Sequence, residues 1–169
     1  GLEEINIPDS VTEIEDSAFS GCVNLSKVNI PDTVTIIGEY AFDSCTNLTA
    51  VTLSENLEHM GGKAFGSCEK ITKIEIPKSL EWCDSTLYDY GPFGDCTGLK
   101  TVIFENGTTE ISSHLFEKCT GLEEINIPDS VTEIEDSAFS GCVNLSKVNI
   151  PDTVTIIGEY AFDSCTNLT

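Results

Sequence analysis

The chain has no arginine: all 8 of its basic residues are lysines, set against 29 acidic ones, for a net charge of -21 over 169 residues. Phosphate binding depends on clustered Lys and Arg, so this balance excludes nucleic acid and anionic membrane surfaces as natural partners. The acid reads instead as a device that keeps a long array soluble. Long apolar runs are missing too, so no membrane span is expected, and no secretory signal is present. Histidine is scarce. His59 and His114 have no Ser, Cys or carboxylate context of a nucleophile and base pair, and each reads as a solvent-exposed or partly packed side chain. No glycine-rich phosphate loop occurs. Nothing here supports catalysis or a cofactor, and the reading is non-enzymatic. Disorder is excluded in its turn by the 40% hydrophobic content.

What is present is repetition. Residues 1–49 return unchanged as 121–169, a long period of 120 residues, and within it LEEINIP and LSKVNIP mark a short period of 23. The chain divides into turns at 1–23, 24–46, 47–69, 70–97, 98–120, 121–143 and 144–166, with a stub at 167–169. Four turns of 23 and one of 28 residues make up the long period. Self-similarity at this spacing predicts a single stacked solenoid. With no initiating Met, and a new turn begun at Asn167, the chain reads as a piece of a longer array.

Aligned turns form columns. The second position is Leu2, Leu25, Leu48, Ile71, Leu99, Leu122 and Leu145; the fifth is always Val or Ile; the seventh is apolar from Ile7 to Ile150. Alternation between the fifth and seventh positions predicts a short strand with one buried face. Pro8, Pro31 and Pro77 then end it by removing a ladder donor. The next segment, VTEI or VTII, reads as a second extended piece or a tight corner. Gly38 and Gly61 are expected to supply a backbone conformation that other residues resist. AFSGC and AFDSC place Ala, Phe and Cys at helix-like spacing, in a piece too short to stand alone as a helix.

The pattern LxxIxIPxxVTxIxxxAFxxC resembles the 23-residue Treponema-type leucine-rich repeat of BspA-like surface proteins. The resemblance implies an α/β leucine-rich repeat solenoid, right-handed, with a parallel sheet of short strands and short helical turns. For function it implies a cell-surface or extracellular adhesion protein whose partners are protein ligands such as host extracellular matrix or plasma glycoproteins. Departures gather in the fourth and fifth turns, where Pro gives way to Glu105 and Val or Leu to Thr108.

Seven cysteines, Cys22, Cys45, Cys68, Cys96, Cys119, Cys142 and Cys165, share one column and are expected to stack inside as free thiols. Their spacing fits no zinc motif. Parallel inward side chains also make poor disulfide partners. Cys83 falls in the column of Ile14, Ile37 and Met60 and reads as a small core residue. The acidic clusters at Glu3, Glu4, Asp9, Glu13, Glu15 and Asp16 lack the spacing of a calcium loop and read as a solvated face. Asn24, Asn47, Asn106, Asn144 and Asn167 begin Asn-x-Ser/Thr sequons, most of them a by-product of the repeat.

The array departs from itself most at EWCDSTLYDYGPF, where the fourth turn is five residues longer and adds Trp82, Tyr88 and Tyr90. The thirteenth column runs Glu13, Ile36, His59, Trp82, Glu110, so an apolar stripe leads into the insert. Insertions in solenoids map to one face, often the binding face. Ile36, His59, Trp82, Tyr88 and Tyr90 are therefore the candidate partner site. The insert folding back to bury its own rings is the plainer alternative. The outward strand positions, Glu4/Asn6, Lys27/Asn29, Ala50/Thr52, Lys73/Glu75 and Thr101/Ile103, form the competing surface. Two function classes follow: a non-catalytic adhesion module, or a structural spacer that self-associates head to tail through uncapped strand edges.

Overall fold

A computed structural model describes residues 3–84 and 90–169. Seven strands repeat at the fourth to seventh positions: β1 (Glu4–Asn6), β3 (Lys27–Asn29), β5 (Ala50–Thr52), β7 (Lys73–Ile76), β9 (Thr101–Phe104), β11 (Glu124–Asn126) and β13 (Lys147–Asn149). Between them come two-residue strands, β2 (Glu13–Ile14), β4 (Ile36–Ile37), β6 (His59–Met60), β8 (Trp82–Cys83), β10 (Glu110–Ile111), β12 (Glu133–Ile134) and β14 (Ile156–Ile157). Among the described residues all strand pairing is parallel. Glu4 opposes Lys27 and Lys27 opposes Ala50, steps of 23 residues, whereas Lys73 opposes Thr101, a step of 28. The insert is thus absorbed before the next strand, which returns to register. The protein is a parallel-strand solenoid, as the repeat implies.

The first ladder runs β1-β3-β5, β7-β9 and β11-β13; the second runs β2-β4-β6-β8 and β10-β12-β14. In the first, the fifth and seventh positions point inward. Val28, Ile30, Ile74, Ile76, Ile125 and Ile127 are all at most 2% exposed. The lost proline extends the β7-β9 ladder: Glu105 has an N–H to give and donates it to the Ile76 carbonyl at 2.9 Å. Thr108, buried in a column of Val and Leu, satisfies its hydroxyl by donating to the Glu105 carbonyl at 2.8 Å.

The short helical turns implied by the resemblance are absent: no helix occurs among the described residues. The reason lies in where the corner's N–H groups go. In the first turn Ala18, Ser20 and Cys22 donate to carbonyls three residues back, closing successive tight turns. Ser17, Phe19 and Gly21 donate instead to Glu39, Ala41 and Asp43 of the next turn. Half the donors are spent on stacking, so an i to i−4 ladder cannot form. The alternation demands left-handed backbone at two places in the corner, at Ser17, Tyr40, Lys63, His114, Ser137 and Tyr160, and at Gly21, Ser44, Ser67, Asp95, Lys118, Gly141 and Ser164, with φ between 52° and 73°; among the described residues the fourth turn has only the second.

Gly38 and Gly61 are not among these left-handed residues, so the expectation of glycine as a conformational device is corrected. Their role is close approach. A Cβ on Gly38 would lie 2.4 Å from Asp16 Oδ1 and 2.7 Å from the Asp16 nitrogen. The absent side chain lets Asp16 accept the Glu39 N–H at 2.8 Å, tying one turn to the next.

Two further columns run through the interior. Phe19, Phe42, Phe65, Phe93, Phe116, Phe139 and Phe162 stack with ring centroids 5.0 to 5.7 Å apart. Beside them runs a thiol ladder. Cys45, Cys68, Cys96, Cys119, Cys142 and Cys165 each donate Sγ–H to a Phe carbonyl of the preceding turn at 3.0 to 3.3 Å. All eight cysteines are free. Burial makes a thiolate costly and pushes Cys45 up to about 11 and Cys96 up to about 12. These thiols are protonated, weak nucleophiles at neutral pH.

Candidate interaction face

In the second ladder the fourteenth column points inward and the thirteenth outward. Ile14, Ile37, Met60, Ile111 and Ile134 are buried, and Cys83 takes the same inward place half-buried. The outward residues of successive strands are then neighbours, with Ile36 opposite His59 and His59 opposite Trp82. The His59 ring stacks on the indole of Trp82, with centroids 3.7 Å apart and planes 22° from parallel. His59 is 9% exposed and Trp82 is 50% exposed, so the histidine is covered and the tryptophan presents itself to solvent.

His59 has a partner that its sequence neighbourhood hides. Its Nε2 lies 2.9 Å from Asp84 Oδ2, two columns along on the next turn. An ionised carboxylate accepts only, so Nε2–H is the donor and the imidazole is pinned between a ring face and a carboxylate. The expectation of histidines without carboxylate context is corrected at both sites, since His114 Nδ1 lies 3.2 Å from Glu117 Oε2. Among the described residues neither pair is extended by a hydrogen bond to a Ser, Thr or Cys side chain, and the arrangement holds the rings in place.

Three of the five predicted site residues are therefore brought together. Tyr88 lies outside the described residues. Tyr90 joins a different cluster, its ring 4.2 Å from Lys63 Nζ and 3.9 Å from Lys118 Nζ. Lys63 reaches Asp95 at 3.4 Å and Lys118 reaches Glu117 at 3.5 Å. Burial works against the Lys118 ammonium, but Glu117 and Tyr90 outweigh it and hold its pKa above the usual lysine value. Beside Tyr90, a Cβ on Gly91 would sit 1.9 Å from the His114 carbonyl oxygen, so only glycine passes there. Tyr90 thus packs on lysines of the third and fifth turns and does not join the stripe. Asp84, Lys63, Lys118 and Glu117 were not singled out by the sequence. Spacing carries a faint signal only for Asp84, in a column that is otherwise Glu, Gly or Ser.

The competing surface lies on the first ladder. A shallow groove of about 750 Å³ opens where β5 and β7 cease to share a ladder, lined by Ala50, Thr52, Lys73, Glu75 and Ile103 among others. Ile103 is 43% exposed, and Lys73 is already paired with Glu75 at 2.7 Å. Among the described residues no helix is long and apolar enough to cross a membrane, and no group of three or more His, Cys, Asp or Glu is placed to hold a metal ion.

Charge divides the two faces. From the tenth to the sixteenth column no turn contains a lysine, whereas Lys27, Lys73 and Lys147 stand on the first ladder and Lys78 just beyond it. Lys78 is held by Glu105 at 2.7 Å, which raises the lysine's pKa and lowers the carboxylate's. The ionised side chains of those columns are consequently acidic throughout, Glu13, Glu58, Glu81, Asp84 and Glu110 among them.

The BspA type leucine rich repeat region model matches residues 1–91 and 86–169, in 6 copies. No curated protein sequence matches. Among solved structures, the Treponema pallidum leucine rich repeat protein is 31% identical, over 99% of this chain and 78% of that one, with a TM-score of 0.81. A leucine rich cell surface protein from Faecalibacterium prausnitzii is 30% identical over 96% of this chain, which spans about half (51%) of that protein, with a TM-score of 0.60. The pneumococcal vaccine antigen PcpA shares the fold at 21% identity, over 98% of this chain and 49% of its own, with a TM-score of 0.58. Matched along its length by the family model and over nearly all of it by a solved relative, the chain belongs to the BspA-type leucine-rich repeat family.

Proposed function

We propose that this chain is a non-catalytic protein-binding module of a bacterial surface protein, and that it binds through the second-ladder stripe of Ile36, His59 and Trp82. The observation that carries the reading is Trp82: a half-exposed indole, rigidly backed by a stacked and hydrogen-bonded histidine. A large aromatic held in one orientation loses little entropy on binding and is the usual makings of a hot spot. The family relation supports a surface setting, since the Faecalibacterium relative is described as a cell surface protein. Adhesion to matrix or plasma glycoproteins is the finer form of the reading. Repeated copies of the stripe in a longer array would add avidity to weak single contacts.

The test is retention of extracellular matrix and plasma glycoproteins by the immobilised chain, beside Trp82→Ala and Ile103→Lys variants. Loss in Trp82→Ala alone supports the stripe. Loss in Ile103→Lys alone moves the site to the first-ladder groove. A chain that retains nothing favours the structural spacer, for which the hydrogen bonding of each corner to the next turn is the supporting observation.

A further inference from the structure

The stripe sits in a one-signed field, and that bears on what occupies it. Glu58 and Glu81 are exposed, immediately precede His59 of β6 and Trp82 of β8, and are joined where the Glu58 carbonyl accepts the Glu81 N–H at 2.9 Å. Asp84 is exposed and holds His59 from the other side. Glu13 and Glu110 extend the same column at either end of the apolar run. No lysine in these columns balances them. By contrast, on the first ladder Lys73 pairs with Glu75 and Lys147 with Glu124.

From this juxtaposition we infer that the occupant of the Trp82 stripe is a cationic polypeptide segment, one whose Arg or Lys side chain lies on the exposed indole while its neighbours reach Glu58, Glu81 and Asp84. The inference rests on the reading that this stripe is the binding face. An indole is the best aromatic partner for a guanidinium or ammonium, and flanking carboxylates supply charge-assisted hydrogen bonds to the same groups. The His59 ring covers one face of the indole, so the segment meets the remaining exposed part. Charge argues against the other occupants. An acidic partner is repelled, and a second copy of this chain carries -21 and brings no arginine. A neutral glycan can stack on an indole but gains nothing from a face cleared of cations.

The experiment follows fluorescein-labelled tetra-arginine amide by anisotropy against the whole chain, in parallel with the emission of Trp82, the only tryptophan. Tetra-glutamate and a neutral chito-oligosaccharide serve as comparisons. Saturable binding of tetra-arginine with a change in Trp82 emission is expected, weakening several-fold between low and physiological salt as exposed charges are screened. The Glu58→Gln/Glu81→Gln variant is expected to bind about five- to ten-fold more weakly. The Asp129→Asn/Asp152→Asn variant, with the same charge change on exposed positions of later turns, is expected to bind as the parent does. Equal weakening in both variants would reduce the effect to diffuse attraction and overturn the inference. So would no binding, or an emission change only with the oligosaccharide. The two readings separate cleanly on any glycoprotein that the chain retains. If Trp82→Ala loses it and Glu58→Gln/Glu81→Gln does not, the stripe stands and the cationic occupant falls; if Trp82→Ala retains it, both fall.

Discussion

The identity of residues 1–49 and 121–169 provides an internal control on what holds the solenoid together. Phe42 and Phe162 have the same sequence neighbours, so their propensities and preceding turns match. Phe42 is fully buried between Phe19 at 5.1 Å and Phe65 at 5.0 Å, whereas Phe162 is half-buried and has one recorded stacking neighbour, Phe139 at 5.3 Å. Truncating a fully buried Phe to Ala costs about 3–5 kcal/mol. Each aromatic pair contributes about 0.5–1.5 kcal/mol of this beyond area burial. Phe42→Ala is therefore expected to cost about 3–5 kcal/mol, and Phe162→Ala, with one pair and partial burial, about 1–3 kcal/mol. Urea unfolding followed by far-ultraviolet circular dichroism reads the difference. The centres of those ranges, about 4 and about 2 kcal/mol, predict a midpoint shift about two-fold larger for Phe42→Ala. Equal shifts would refute the account, because stability would then be a sum of single-turn terms with no contribution from stacking.

Gly38→Ala forces a Cβ to within 2.4 Å of Asp16 Oδ1 and 2.7 Å of its nitrogen, and is expected to destabilise by about 1–3 kcal/mol in the same unfolding assay. Ser67→Gly relieves a left-handed residue, φ 54°, and is expected to be neutral or to stabilise by up to about 1 kcal/mol, despite the greater freedom of glycine when unfolded. The buried thiols set an alkaline limit. Burial raises Cys45 to about 11 and Cys96 to about 12 from an ordinary 9.0, so above pH 9 the unfolded chain loses these protons first. Stability is expected to hold below pH 9 and to fall between pH 9 and 11 by up to about 1.4 kcal/mol per buried thiol per pH unit, as measured by urea midpoints across that range.

The columns that bury side chains were legible because a fixed period turns one chain into an alignment of itself. Leu25, Val28, Ile30 and Cys45 could be assigned to the interior on recurrence alone, and the thiol column followed the same logic. The corner was not legible. Three- and four-residue spacing of Ala, Phe and Cys is shared by a helix and by tight turns whose alternate N–H groups leave for the next turn, and only stacking decides between them. For the same reason Gly38 looked like a turn residue when its work is to admit Asp16. The pairing of His59 with Asp84 left only the faint mark of an Asp in a column of Glu, Gly and Ser, and the insert broke the columns around Tyr90, so its packing on Lys63 and Lys118 had no period to reveal it.

The claim that the Trp82 stripe is the binding face is tested most directly by hydrogen–deuterium exchange of the chain, alone and with whichever glycoprotein of the panel it retains. The account predicts slowed exchange concentrated in residues 57–60 and 80–84, which carry His59 and Trp82. Slowed exchange confined to residues 49–55 and 73–77, the first-ladder groove, would contradict it.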